Sequence, residues 1–202
     1  MKLYASPASP YVRKVVVLLH ETGQLDDVEQ VASSGTPLDS GSIPVHLNPV
    51  GKIPALEQST GVTLYDSRVI CRFLDDRAEA GLYSTGARHW ELLTLEATAD
   101  GILDAAILGV YESRLRPEEL RFTPWTDAQW GKIIRSLDAV ETRWMSHLSG
   151  PLNIGQIAIG CALGYLDFRY PDSDWRKGHD ALAAWYKTFA TRDSMAATVP
   201  VG

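Results

Sequence analysis

Residues 3–19, LYASPASPYVRKVVVLL, put the most chemistry into the fewest positions. They read as a short strand, a polar turn, and a helix whose first turn is Pro10-Tyr11-Val12-Arg13. Pro10 suits the first helical position because it lacks only an N–H that would go unpaired there. Ser9 then stands at the N-cap, its hydroxyl among free backbone N–H groups at the positive end of the helix dipole. Such a place holds an anion, and it favours the thiolate form of a thiol. A serine hydroxyl is too weak an acid to serve as a base near pH 7. Its useful act is to donate a hydrogen bond to a sulfur anion, which lowers the thiol pKa alongside the dipole. A drop of about two units from about 8.5 stabilises the thiolate by about 2.7 kcal/mol, making it the majority form at pH 7. Ser9 also has a plainer reading, as a helix cap with no chemistry attached.

Other chemistries lack their residues. There is no GxSxG elbow, no HExxH and no GxxxxGK[ST] loop, and the five histidines are scattered without metal-ligand spacing. Cys71 and Cys161 form no CxxC pair, which gives no disulfide framework and no zinc site and fits a reducing compartment. The net charge of −6 is evenly spread, with 7 basic and 10 acidic side chains in residues 1–80 and 12 and 15 in the remainder. With no basic stripe, nucleic acid and anionic membrane are not expected partners. No run approaches the roughly 20 apolar residues of a membrane span, and the start of the chain turns polar too soon for a secretory signal. A cytoplasmic protein is the expectation.

The elements that must position Ser9 follow from periodicity. Residues 1–77 alternate extended and helical patterns: strands near 2–5, 28–31, 55–58 and 62–64, a helix over 10–21 stopped by Gly23, and a second opened by Asp66-Ser67. Residues 32–52 form a Ser/Gly/Pro-rich loop with one helical turn near Val45-His46-Leu47. The order is that of a thioredoxin-like domain. A small, polar stretch over 78–87 predicts the linker, and 88–202 reads as helical throughout. One apolar stripe runs from Leu92 to Val110, a second from Trp130 to Leu148, and Leu182, Trp185, Tyr186 and Phe189 mark a last helix. Asn153 and Gln156 suggest a capping box and Leu152 with Ile157 a hydrophobic staple, while Gly155 weakens local helix propensity.

Ser9-Pro10-Tyr11-Val12 resembles the Cys-Pro-Tyr-Cys of a glutaredoxin, with Ser in place of the attacking Cys. Joined to Asn48-Pro-Val-Gly-Lys-Ile-Pro-Ala-Leu56 and Asp66-Ser67-Arg-Val-Ile70, it resembles a cytosolic glutathione S-transferase, of a bacterial, serine-type kind. The departures are Asn153 and Gln156 in a box that is usually Ser/Thr-x-x-Asp, and Arg192-Asp193-Ser194 for Arg-Pro-Ser. The resemblance implies a thioredoxin-like α/β domain followed by an all-α domain, assembled as a homodimer, with glutathione as co-substrate and no metal. It implies that Ser9 holds the thiolate, and that Asp66 and Ser67 take the γ-glutamyl ammonium and carboxylate. Ile53, before a cis Pro54, offers its backbone to the cysteinyl unit as one added strand. Lys52 would face a glutathione carboxylate. Each has a plain structural alternative: a second helix cap for Asp66-Ser67, an ordinary loop proline, a solvated lysine. Ser6 and Tyr4 compete with Ser9 for the thiol. Tyr111, Arg114 and Trp125 are candidates to line a site for a small electrophile between the Ser9 turn and the first long helix of the second domain. The implied activity is conjugation of glutathione to that electrophile. A non-catalytic ligand-binding or interaction module of the same fold, or a glutathione-dependent isomerase, lyase or dehalogenase, are the alternatives.

Overall fold

The computed structural model describes residues 1–202 and opens on a strand, β1 (Lys2–Ala5), followed by α1 (Pro10–Glu21). Gly23, with φ at 67°, ends α1 in the left-handed conformation that glycine adopts without steric cost. Then come β2 (Glu29–Ala32), β3 (Ala55–Glu57), β4 (Thr63–Tyr65) and α2 (Ser67–Ala78). The later strands differ from the expected bounds by a residue at one or both ends, the usual uncertainty of strand ends. The sheet order is β2-β1-β3-β4, with β1 and β2 parallel and the other pairs antiparallel. Leu3 and Leu56 from the sheet, Val15, Leu18 and Leu19 from α1, and Ile70 and Leu74 from α2 are all fully buried. This is the thioredoxin-like architecture.

The first of two compact units comprises Met1–Tyr83 together with Asp193–Gly202. The division falls within the 78–87 stretch, but residues up to Tyr83 are fastened rather than loose. The buried Asp75 carboxylate accepts the backbone N–H groups of Leu82 (2.8 Å) and Tyr83 (3.0 Å). At the other end, α8 (Asp193–Ala196) lies against α1. Ser194 donates to the Glu21 carboxylate, and Arg13 donates from Nη2 to the Met195 carbonyl (3.0 Å) and from Nε to Thr198 Oγ1 (3.3 Å). Residues 193–202 therefore pack with the sheet unit, although their sequence continues the helical region. No local pattern reports those long-range bonds.

The second unit, Ser84–Arg192, is helical: α3 (His89–Leu115), α4 (Thr123–Ala139), α5 (Met145–Leu148), α6 (Ile154–Arg169) and α7 (Asp180–Phe189). The core helix α6 is buried continuously from Ile154 to Leu166 and packs on α3. Asn153 caps it, Oδ1 accepting the Gln156 N–H at 3.1 Å. The reciprocal half of the capping box does not form. Gln156 Nε2 instead donates to the carbonyls of His147, Gly150 and Pro151, tying down the preceding turn. The apolar stripe over 130–148 is interrupted by a π-turn at Val140–Trp144. There Val140 stays buried while Glu141 accepts the free N–H groups of Ala181 and Leu182 in the first turn of α7. No helix is long and apolar enough to cross a membrane, and Cys71 and Cys161 are both buried without forming a disulfide.

Candidate functional site

Strand register brings three chain segments to one end of the sheet. Tyr4 pairs with Ala55, and Ala55 pairs with Tyr65. The turn after β1, the Ile53-Pro54 lead-in to β3, and Asp66-Ser67 after β4 therefore emerge side by side.

At the first of these, Ser9 has the extended backbone of an N-cap, and its Oγ accepts the Val12 N–H at 3.3 Å. Capping uses an oxygen lone pair, so the hydroxyl proton remains available to a second acceptor. Ser9 is half-buried, which leaves that acceptor a route in. Ser6 Oγ accepts the Ala8 N–H at 3.4 Å, and its carbonyl accepts the Ser9 N–H. Tyr4 is committed elsewhere. Its phenol donates to Glu57 Oε2 at 3.0 Å, and Glu57 pairs with Lys2, so the ring leans back along the sheet from the Ser9 end. Burial, then the hydrogen bond and charge of Glu57 with the charge of Glu29, pushes the Tyr4 phenol above its ordinary value.

The Ile53-Pro54 bond is cis, as the resemblance implies. Because strand pairing of β3 starts at Ala55, the main-chain N–H and C=O of Ile53 lie outside the ladder. The turn before it is built by Asn48, 2 % exposed. Its Nδ2 donates to the Lys52 carbonyl (2.7 Å) and its Oδ1 accepts the Val50 N–H (3.0 Å), while Gly51 takes a φ of 66°. The Lys52 side chain is exposed. Asn48 was legible as part of a quoted motif, and the asparagine preference for local side-chain-to-backbone bonds is the signal that gives it this positioning task.

Asp66 and Ser67 divide the work at α2. Asp66 is the N-cap, with φ 67° and ψ 130°, a conformation that L-residues rarely adopt and that costs about 1–3 kcal/mol. Its Oδ1 accepts the Arg68 N–H (2.9 Å) and Nε (3.2 Å), and Oδ2 accepts Arg68 Nη2 (3.2 Å). Burial pushes the Asp66 carboxyl up, but the hydrogen bonds and charge of Arg68, helped by the charge of Lys14, outweigh it and hold the pKa below the ordinary value. Ser67, 4 % exposed, makes no side-chain hydrogen bond within the chain and sits at the positive end of α2. Lys14, wholly buried on α1, acts on Asp66 through its charge, a link that sequence spacing does not reveal.

The remaining expected residues lie in the helical unit. Tyr111 and Arg114, on the last turns of α3, both act electrostatically on buried Tyr165 of α6. Burial pushes the Tyr165 phenol up, against the pull of Arg169 and Arg114. Trp125, in the first turn of α4, is 42 % exposed.

Against known proteins, residues 8–77 match the family model described as glutathione S-transferase, N-terminal domain, and 123–188 the corresponding C-terminal domain. The chain is 32 % identical over 205 residues to the uncharacterized GST-like protein YibF of Escherichia coli K12, covering 99 % of this chain and 98 % of that one. A glutathione transferase family member from Pseudomonas fluorescens Pf-5, solved with bound glutathione, is 47 % identical, with TM-score 0.97 over 100 % of this chain and 99 % of that one. A glutathione S-transferase of Methylobacillus flagellatus KT with GSH bound is 35 % identical, with TM-score 0.88 over 99 % of each chain.

Proposed function

This chain belongs to the glutathione S-transferase family, and from that premise we propose that it binds glutathione and conjugates it to a small electrophile. The supporting observation is the set of unused groups at one sheet end. The Ser9 hydroxyl proton, the Ile53 main chain and the Ser67 hydroxyl are all unclaimed by the fold, and register sets them side by side.

Each group answers one part of the tripeptide. Ser67 and the free N–H groups opening α2 receive the γ-glutamyl carboxylate. Asp66 receives the ammonium: a carboxylate offers about four lone-pair sites, and Arg68 with the cap takes three. The cysteinyl N–H and C=O pair with Ile53 as an added strand, and Lys52 supplies charge to the glycyl carboxylate. That binding holds the sulfur at the mouth of α1. Ser9 then donates its proton to the sulfur, so that dipole and hydrogen bond together favour the thiolate. The thiolate attacks an electrophilic carbon, forming the S–C bond as the leaving group departs with its electron pair. Ser9 provides no base and no nucleophile.

The same proposal includes a homodimer, supported by the exposed apolar side chains of Val62 just before β4, Tyr65 on β4 and Val69 on α2, and a cytoplasmic location. The test is retention on immobilised glutathione, followed by an assay of the eluate for conjugation with a reactive aryl halide, beside Ser9→Ala. Retention with turnover that falls in the variant supports the reading. Retention without turnover across an electrophile panel replaces it with a binding module of the same fold, and no retention removes it.

A further inference from the structure

In the helical unit, two contacts fix how α3 and α6 run. Gly155 at the start of α6 lies against Leu95 in the first half of α3, and Tyr170, just past α6, donates to the Ala106 carbonyl farther along α3 (2.6 Å). The two helices are therefore parallel, and their C-terminal ends come to one place. Tyr111 and Arg114 stand three residues apart on the last turns of α3, Tyr165 and Arg169 four apart on the last turns of α6, so each pair shares a helix face. The charges of Arg114 and Arg169 and the Tyr111 phenol all act on Tyr165, which puts the four side chains in one cluster.

Each group that this cluster offers a visitor can donate a hydrogen bond. Arg114 is exposed and Tyr111 half-buried, and neither makes a side-chain hydrogen bond or ion pair in the chain. Arg169 is held in a fixed pose. Its guanidinium carbon lies 3.8 Å from the centre of the Phe168 ring, and the group donates to the phenol oxygen of Tyr165, itself 4 % exposed. The acids beside the two arginines in the chain are spent elsewhere. Glu112 accepts from Arg116 and from the Phe122 N–H, and Asp167 accepts from Arg176 and the Trp175 indole. Last-turn arginines also complement helix dipoles, but that task calls for neither a stacked, hydrogen-bonded guanidinium nor an idle phenol beside it.

We propose that this cluster receives a carboxylate, and that the electrophile this protein acts on is a small unsaturated or aryl compound carrying one carboxylate group. The inference rests on the conjugation reading above and names its second substrate. A guanidinium fork matches carboxylate and phosphate alike. Of those two, only the planar carboxylate shares its π system with the carbon that a thiolate attacks. Pairing it with Arg114 and Arg169 draws its charge away from that frame and leaves the attacked carbon more electrophilic. Tyr111 donates to the same carboxylate, and Tyr165 is a positioning residue that holds Arg169 in place.

Two readouts test it on the full chain. Calorimetry compares dinitrobenzoate, which has no leaving group, with its neutral methyl ester and with inorganic phosphate. Kinetics compare para-chloro dinitrobenzoate with its methyl ester, each rate divided by the uncatalysed rate; the thiolate forms the S–C bond and chloride leaves with its electron pair. The wild type should prefer the carboxylate over its ester by at least about tenfold in both, with phosphate as weak as the ester. Arg114→Met, at an exposed position that bonds nothing, should fold and lose about tenfold of that preference, and Arg114→Lys should restore part of it. Tyr165→Phe should raise KM for the carboxylate alone while kcat holds, whereas a merely structural phenol would affect both substrates alike. Failure of dinitrobenzoate to bind, equal binding of its ester or of phosphate, or a preference unchanged in Arg114→Met overturns the proposal. Binding that depends on Arg114 without turnover of either chloro compound keeps the carboxylate site and removes the conjugation reading.

Discussion

Ser9→Ala separates the two tasks assigned to one hydroxyl. As a cap, Ser9 Oγ accepts the Val12 N–H at 3.3 Å, the long end of the range, so its loss costs about 0.5–1 kcal/mol. For a chain of this size that lowers Tm by about 1–4 °C. As a thiolate donor it makes a hydrogen bond to a charged group, contributing about 1.5–3 kcal/mol. At 1.36 kcal/mol per pKa unit, the thiol of bound glutathione should rise by about one to two units in Ser9→Ala. Conjugation below the wild-type bound-thiol pKa then falls about tenfold to a hundredfold, the gap narrows between the two pKa values, and at high pH the two proteins converge. The assay is a pH titration of the ultraviolet thiolate absorbance of bound glutathione, with pH profiles of conjugation and thermal melts beside it. Ser9→Thr keeps the hydroxyl and should restore both readouts. A bound-thiol pKa unchanged in Ser9→Ala but raised in Ser6→Ala would refute the assignment and move it to Ser6. A drop in Tm alone would leave Ser9 as a cap.

Three further outcomes follow from particular contacts. Gly109 exists to admit Tyr170, whose phenol donates to the Ala106 carbonyl at 2.6 Å; a Cβ at Gly109 would collide with that hydroxyl oxygen. Gly109→Ala should therefore destabilise by about 1–3 kcal/mol from overpacking despite a helix-propensity gain of about 1 kcal/mol, and urea denaturation should show Gly109→Ala/Tyr170→Phe no less stable than Tyr170→Phe alone. Burial, with the nearby Tyr165, pushes the Tyr170 pKa up to about 12 from an unfolded value near 10. The folded state thus holds that proton more tightly, so its contribution is complete below about pH 10 and lost as pH rises through about 12, a slope in alkaline melts that Tyr170→Phe should reduce. Asp66, whose pKa is depressed, contributes stability that is present above about pH 4 and lost as pH falls through its folded value, and acid unfolding of Asp66→Asn should lack that component.

The legible parts of this protein are those specified by neighbours in the chain. Ser9-Pro10 announces a helix start because an N-cap and its first turn are contiguous, and the structure has that cap. Asp66-Ser67 announces another for the same reason, though the sequence does not show that Asp66 would be drawn into an ion pair with Arg68. Gly155 reads locally as a weak point in a helix. In the fold a Cβ there would come within 2.7 Å of Leu95 Cδ2, so the glycine is what lets α3 lie close against the start of α6. Gln156 likewise reads as half of a capping box, yet three carbonyls of the preceding turn outcompete the Asn153 N–H for its amide.

By itself the sequence determined the kinds of element, their order, and the three short motifs, because caps, turns and alternation are written within a few residues of one another. Only the tertiary structure decided that residues 193–202 belong with the sheet unit, that Tyr4 spends its hydroxyl on Glu57, and that Arg13 is buried without a counter-charge. Those outcomes depend on register and on groups up to 185 positions apart, such as Arg13 and Thr198. Hydrogen bonds and charges act through space, and a linear pattern carries no record of which distant group will arrive.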